Sequence, residues 1–114
     1  MNGFNKVIIV GTLGADPKNQ VAKNGKAFTS LSLATNRRWK NEEGEETEKT
    51  DWHKITVFGK QGELCQKYLK KGSNVCVEGY LTSFTYDIDG KKHKYTSITA
   101  EGVNFLPSRA SMEL

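Results

Sequence analysis

Apolar and polar residues alternate along most of this chain, the pattern left by strands whose successive side chains point to opposite faces. Thr50 to Gly59, TDWHKITVFG, shows it most sharply. His53, Ile55 and Val57 fall on one side and can enter a core. Trp52, Lys54, Thr56 and Phe58 fall on the other, and there a cation and a hydroxyl sit between two aromatic rings. That second face has two readings. It suits flat bases joined by phosphates, with rings to stack and an ammonium for the backbone. It also suits a neighbouring element that covers exposed apolar surface. Ala27 to Thr35 alternates as cleanly, with Ala27, Thr29, Leu31 and Leu33 opposite Phe28, Ser30, Ser32 and Ala34. Asn74 to Tyr86 places Val75, Val77, Gly79 and Leu81 inward and Tyr80, Thr82, Phe84 and Tyr86 outward.

Other segments depart from alternation. Lys6 to Leu13 is apolar on both faces through Val7, Ile8, Ile9 and Val10, so the side away from the core needs its own cover, for which a second copy of the chain is one source. Lys18 to Ala22 extends this region weakly, and Asn24-Gly25 marks a hairpin turn. Asn41 to Lys49 has no apolar residue and is expected to be a mobile hairpin tip. Gln61 to Leu69 is the one good helix, with Leu64, Cys65, Tyr68 and Leu69 as its apolar stripe and Gly72 as its cap. Asp89-Gly90 is a strong hairpin turn. Tyr95 to Ala100 begins the last strand, which Gly102 is expected to bulge before Val103 and Phe105. Three strands, one helix and two strands fit an all-β, five-stranded Greek-key barrel of the oligonucleotide-binding (OB) type, with the helix between strands 3 and 4. Residues 1–106 would form this domain and 107–114 a short frayed segment.

Charge changes the picture more by placement than by total. The formal net charge of the 114 residues is +4. Five of the acids (Glu42, Glu43, Glu45, Glu46, Glu48) share one short segment, and setting them aside leaves 17 basic residues against 8 acidic ones. The body of the chain is therefore strongly basic, which suits a polyanionic partner. Trp39 stands among Arg37, Arg38 and Lys40. Lys67, Lys70 and Lys71 lie at the helix C-terminus, where compensation of the helix dipole and contact with DNA explain them equally well.

Catalytic and metal chemistry find little support. Cys65 and Cys76 fit no ligand or redox spacing and read as free thiols of a reducing compartment. His53 and His93 have no partner at ligand spacing, and no nucleophile elbow or phosphate-binding glycine loop is present. No metal, cofactor or enzymatic activity is expected. The N-terminal apolar run is too short for a signal peptide, and no stretch is long enough to span a bilayer, so a soluble, cytoplasmic protein with no membrane partner is expected.

The segments NKVIIVGTLGADP, SLSLATNRRWKN, TDWHKITVFGK, YLKKGSNVCVEG and KYTS occur in order. Together they resemble the bacterial and mitochondrial single-stranded-DNA-binding protein family over about residues 3 to 106. The resemblance implies an OB-fold homotetramer around which single-stranded DNA wraps with little sequence preference during replication, recombination and repair. It implies base-stacking roles for Trp39, Trp52 and Phe58. Tyr86 stands where many members have a tryptophan. Thr82 and Phe84 stand where some carry arginine, so Phe84 either stacks or packs against a neighbour. Lys6, Lys54, Lys60, Lys70 and Lys71 match basic positions along the DNA path, and Arg37, Arg38 and Lys40 flank the first tryptophan. His53 matches a packed histidine near the subunit contact, beside Val7, Ile8 and Val10.

Two other classes compete: a protein-interaction module using the aromatic surface, and an OB-fold accessory of replication restart. The cations beside the rings favour an anionic partner over the former. Many bacterial members also continue into a long linker and an acidic, partner-recruiting tip. Pro107 to Leu114 carries one acid, Glu113, and one base, Arg109, so tail-dependent recruitment of replication and repair enzymes is not expected of these residues.

Overall fold

The computed structural model describes residues 1–22 and 24–107. In chain order the elements are β1 (Val7–Leu13), β2 (Lys18–Val21), β3 (Ala27–Lys40), β4 (Glu46–Phe58), α1 (Gly59–Tyr68), β5 (Asn74–Ile88) and β6 (Lys91–Phe105). The sheet runs β1-β5-β6-β4-β3-β2, and Thr12 and Leu13 of β1 also pair with Ala34 and Leu33 of β3. That contact closes five strands into a barrel. β2 lies along the other half of the same β3 edge, pairing Lys18–Val21 with Ala27–Ser30 in register. The expected OB-type barrel is thus present, with the weak Lys18 segment counted as a strand of its own. The helix follows the fourth strand because of that count.

Alternation explains where the core sits. Ile9, Leu13, Leu31, Leu33, Ile55, Val57, Val75, Val77 and Ile98 are buried together, with Cys65 and Leu69 supplied by the helix region. Burial of the Cys65 thiol pushes its pKa up to about 11, consistent with a packed, inert side chain rather than a nucleophile. The helix approaches closely because Gly62 lacks a side chain. A Cβ there would lie 2.6 Å from Thr29 Oγ1 and 2.8 Å from the Val57 carbonyl oxygen.

Several expectations are corrected. The helix buries Gly62 and Cys65 while Leu64 and Tyr68 face out, because the barrel end needs only a narrow stripe from ten residues of helix. Gly72 does not cap it. Leu69 does, in an extended conformation, donating its N–H to the Cys65 carbonyl. Gly72, with φ of 94°, instead turns the chain so that its N–H reaches the Leu13 carbonyl. Leu81 is 50% exposed, since β5 has left the barrel at that point. Glu46 to Lys49 is strand rather than mobile tip, in unbroken register with Arg37–Lys40. Asn41 organises the turn, its Oδ1 accepting from the Glu43 and Glu45 amides, so side-chain hydrogen bonds replace the apolar contacts the segment lacks. The expected bulge is present: Glu78 pairs with Gly102 but Gly79 with Ala100, leaving Glu101 unpaired.

Candidate nucleic-acid interface

Register decides which side chains meet on the outside of the barrel. Across β3 and β4, Phe28 faces Phe58, Ser30 faces Thr56, Ser32 faces Lys54 and Ala34 faces Trp52. Directly opposed residues share a face, so these eight side chains form one outer surface. The row from Trp52 to Phe58 extends on the order of 20 Å at the usual strand rise. Across β5 and β6, Thr82 faces Ser97, Phe84 faces Tyr95 and Tyr86 faces His93. β4 and β6 run parallel, with Ile55 opposite Ile98 and Thr56 opposite Thr99, which brings the two outer surfaces side by side.

The result is a groove of about 540 Å³, lined by Phe28, Lys54, Thr56 and Phe58 on one side and Phe84, Tyr86, Tyr95 and Ser97 on the other, with Gln20, Val21, Ala22 and Asn24 of the β2–β3 hairpin at its end. The rings are held by one another. Phe84 and Tyr95 stack at 5.2 Å, Tyr86 and His93 at 5.3 Å, and Phe28 and Phe58 meet at 5.9 Å in a tilted pair. Cations stand over them: the Lys26 ammonium lies 4.9 Å from the Phe58 ring centre, and that of Lys54 lies 5.8 Å from that of Tyr95. Such cations favour ring faces and remain available to an anion.

Trp52 continues this surface beyond the groove. It is 61% exposed, and its indole rests on Gly14, where a Cβ would come within 2.2 Å of the ring. The missing side chain is what lets the ring lie down while most of the residue stays exposed. Nearby, the Lys71 amide donates to the Asp16 carboxylate, tying the Lys70–Lys71 loop to the same end of the barrel. Lys60 lies exposed in the first turn of α1.

Not every expected site residue joins this surface. Trp39 faces Thr47 and Arg37 faces Lys49, which puts them on the opposite side of the β3–β4 hairpin from Trp52, Arg38 and Lys40. The Arg37 guanidinium lies 5.8 Å from the Trp39 ring centre and 3.3 Å from the Asp51 carboxylate. Arg38 pairs with Glu48 at 3.8 Å, and Lys6 with Glu78 at 3.3 Å. Of the expected subunit contacts, Ile8 and Val10 are exposed at 62% and 59%. Val7 packs against the core instead, because it lies on the Ile9 side of the strand. His53 is partly buried, its Nε2 sharing a hydrogen bond of 2.8 Å with Thr35 Oγ1. The sequence reading missed Phe28, Tyr95, His93 and Ser97 as members of the surface.

Among the described residues no cluster of His, Cys, Asp and Glu is placed to hold a metal, and no helix is long and apolar enough to cross a membrane. The short tail beyond Pro107, with its expected lack of partner recruitment, lies outside the described residues.

Comparison with known proteins gives the same direction. The chain is 44% identical over 108 residues to the single-stranded DNA-binding protein of Xanthomonas campestris pv. campestris, covering 94% of this chain and 63% of that relative's length. A Plasmodium falciparum SSB solved in complex with ssDNA superposes with a TM-score of 0.83 at 30% identity, over 94% of this chain and 98% of that one. The wild-type single-stranded DNA binding protein of Thermus aquaticus gives 0.79 at 32% identity, over 96% of this chain and 53% of that one. Residues 4–106 match the model of the single-strand binding protein family, a family described by binding rather than by catalysis. The chain belongs to the single-strand binding protein family.

Proposed function

We propose that this chain binds single-stranded DNA with little sequence preference and protects it during replication, recombination and repair in the cytoplasm, acting as a homotetramer. The observation that carries the binding is the outer groove, where Phe58, Phe84, Tyr86 and Tyr95 flank the Lys54 ammonium. Only unpaired bases offer both faces to such rings, and every base has a face, so stacking selects single strands and tolerates sequence. Lys54, Lys60, Lys70 and Lys71 supply phosphate contacts, and Trp52 extends the stacking path from its seat on Gly14. Trp39 and Arg37, on the far side of their hairpin, serve a strand that passes over that edge. Assembly is supported by the exposed Ile8 and Val10, which a second copy would cover. Lys54 at the centre of the aromatic surface weighs against a role in protein interaction alone.

Titration with oligo(dT) and with duplex of equal length tests the reading. Tryptophan fluorescence should fall on addition of oligo(dT), and duplex should bind far more weakly. Equal affinity for the two would refute it.

A further inference from the structure

The floor of the groove is built of hydroxyls, and one of them has no partner. Thr56, Ser97 and Thr99 are buried polar residues on the outer surface. The Thr99 hydroxyl shares a 2.8 Å hydrogen bond with that of Thr82. Ser97 is 4% exposed and lines the groove, while its Oγ, itself sealed from solvent in the free protein, has no hydrogen-bond partner. It faces Thr82 across the β5–β6 pair. The parallel register of Ile55 with Ile98, continued back one residue, sets Lys54 beside it on the same side. A buried hydroxyl without a partner is unfavourable, by an amount comparable to a lost hydrogen bond. Stacking and phosphate contact explain the rings and the lysine. They leave this group without a use.

We propose that a base inserted between the two aromatic banks displaces the side chains that seal Ser97 and that Ser97 Oγ then hydrogen-bonds the edge of that base, with the Lys54 ammonium as its neighbour. This rests on the proposed binding of single-stranded DNA and adds a polar contact to it. A hydroxyl can donate or accept and rotates to suit. It can therefore meet the carbonyl or N3–H of thymine, the N3 of cytosine or the amino group of adenine alike. The contact distinguishes a base with a polar edge from a ring without one, while remaining indifferent to which base is present. That is the form of recognition a sequence-tolerant protein can accommodate on its groove floor.

The test compares oligo(dT) with the same oligonucleotide in which thymine is replaced by difluorotoluene, an isostere that stacks but hydrogen-bonds poorly. The wild type should prefer thymine, and Ser97→Ala should shrink that preference by roughly three- to tenfold, the effect of about one neutral hydrogen bond per site. Ser97→Thr, which keeps the hydroxyl, should retain it. Since the hydroxyl is unpartnered in the free protein, Ser97→Ala should melt no lower than the wild type. An equal preference in wild type and Ser97→Ala would overturn the proposal, as would a clear loss of stability in that variant, which would show the hydroxyl already bonded within the fold. Failure of the wild type to bind oligo(dT) at all would instead refute the proposed function.

Discussion

The two long hairpins that leave the barrel are nearly equal in length and opposite in chemistry. Towards its tip the β3–β4 hairpin holds three of its four cations against carboxylates: Arg37 with Asp51, Arg38 with Glu48, and Lys49 with Asp51 again. Trp39, near that tip, has an arginine beside it and no stacked aromatic partner among the described residues. The β5–β6 hairpin carries rings in pairs, Phe84 with Tyr95 and Tyr86 with His93. Among the described residues its lysines, Lys91, Lys92 and Lys94, make no ion pair. One hairpin has largely neutralised itself, and the other is a preassembled set of faces with unspent charge. A count of basic residues along the sequence therefore does not separate the cations that a carboxylate already holds from those left free.

The largest expected effect falls on the aromatic hairpin. Phe84→Ala combined with Tyr86→Ala should weaken oligo(dT) binding by on the order of 3 kcal/mol, a hundredfold or more in Kd, from the general range for stacked bases in single-strand-binding proteins. Both rings stand outside the barrel core, so the melting temperature should fall far less than for Ile55→Ala, a core truncation expected to lose about 2–5 kcal/mol of stability. Trp39→Ala, which removes a lone ring on the far side of the other hairpin, should cost less in binding than the double change. A greater loss from Trp39→Ala would reverse the ranking of the hairpins.

The next effect separates free cations from paired ones. Each phosphate contact should contribute a slope of about −0.7 to the fall of log affinity with log salt for single strands. Lys54, which forms no ion pair among the described residues and lies over Tyr95, should flatten that slope by about one contact when changed to alanine. Arg38→Ala should flatten it by less, because Glu48 already competes for the guanidinium. Equal slopes for the two variants would mean that the ion pair opens freely on binding.

The sequence disclosed much of this, and its gaps have physical causes. Period-two alternation placed Ile55 and Val57 inside and Trp52, Lys54 and Phe58 outside, because a one-residue error would have inverted every assignment. Asp89-Gly90 also turned as expected, with φ of 52° and 79°. That turn sets Ile88 against Lys91, and counting back from it pairs Phe84 with Tyr95 and Tyr86 with His93. The aromatic pairs could thus have been found from the turn alone. The opposite faces of Trp39 and Trp52 were within reach as well, since alternation carries the Leu31–Leu33 side of β3 on to Trp39 and puts Trp52 on the outer side of β4, and the register between them is unbroken. Leu81 misled because alternation reports a face, but not where a strand outruns the barrel beneath it. The partnerless state of Ser97 depends on three strands at once, and no local pattern carries it.

The smallest effect is the most direct probe of the self-neutralised hairpin. Arg38 and Glu48 are separated by 3.8 Å, with side chains 79% and 50% exposed. Such a pair contributes only about 0–1 kcal/mol to stability, so Glu48→Gln should leave folding essentially unchanged. It should release the guanidinium and remove a negative charge from the path of a polyanion. Affinity for oligo(dT) should therefore rise, by roughly two- to threefold at low salt, and the gain should fade as ionic strength shortens the reach of exposed charges. Lys40, opposite Glu46 on the same face, offers the control: Glu46→Gln removes the same charge without breaking an observed ion pair. If both variants gain equally, the benefit is one of net charge. If only Glu48→Gln gains, the arginine itself has been returned to the DNA.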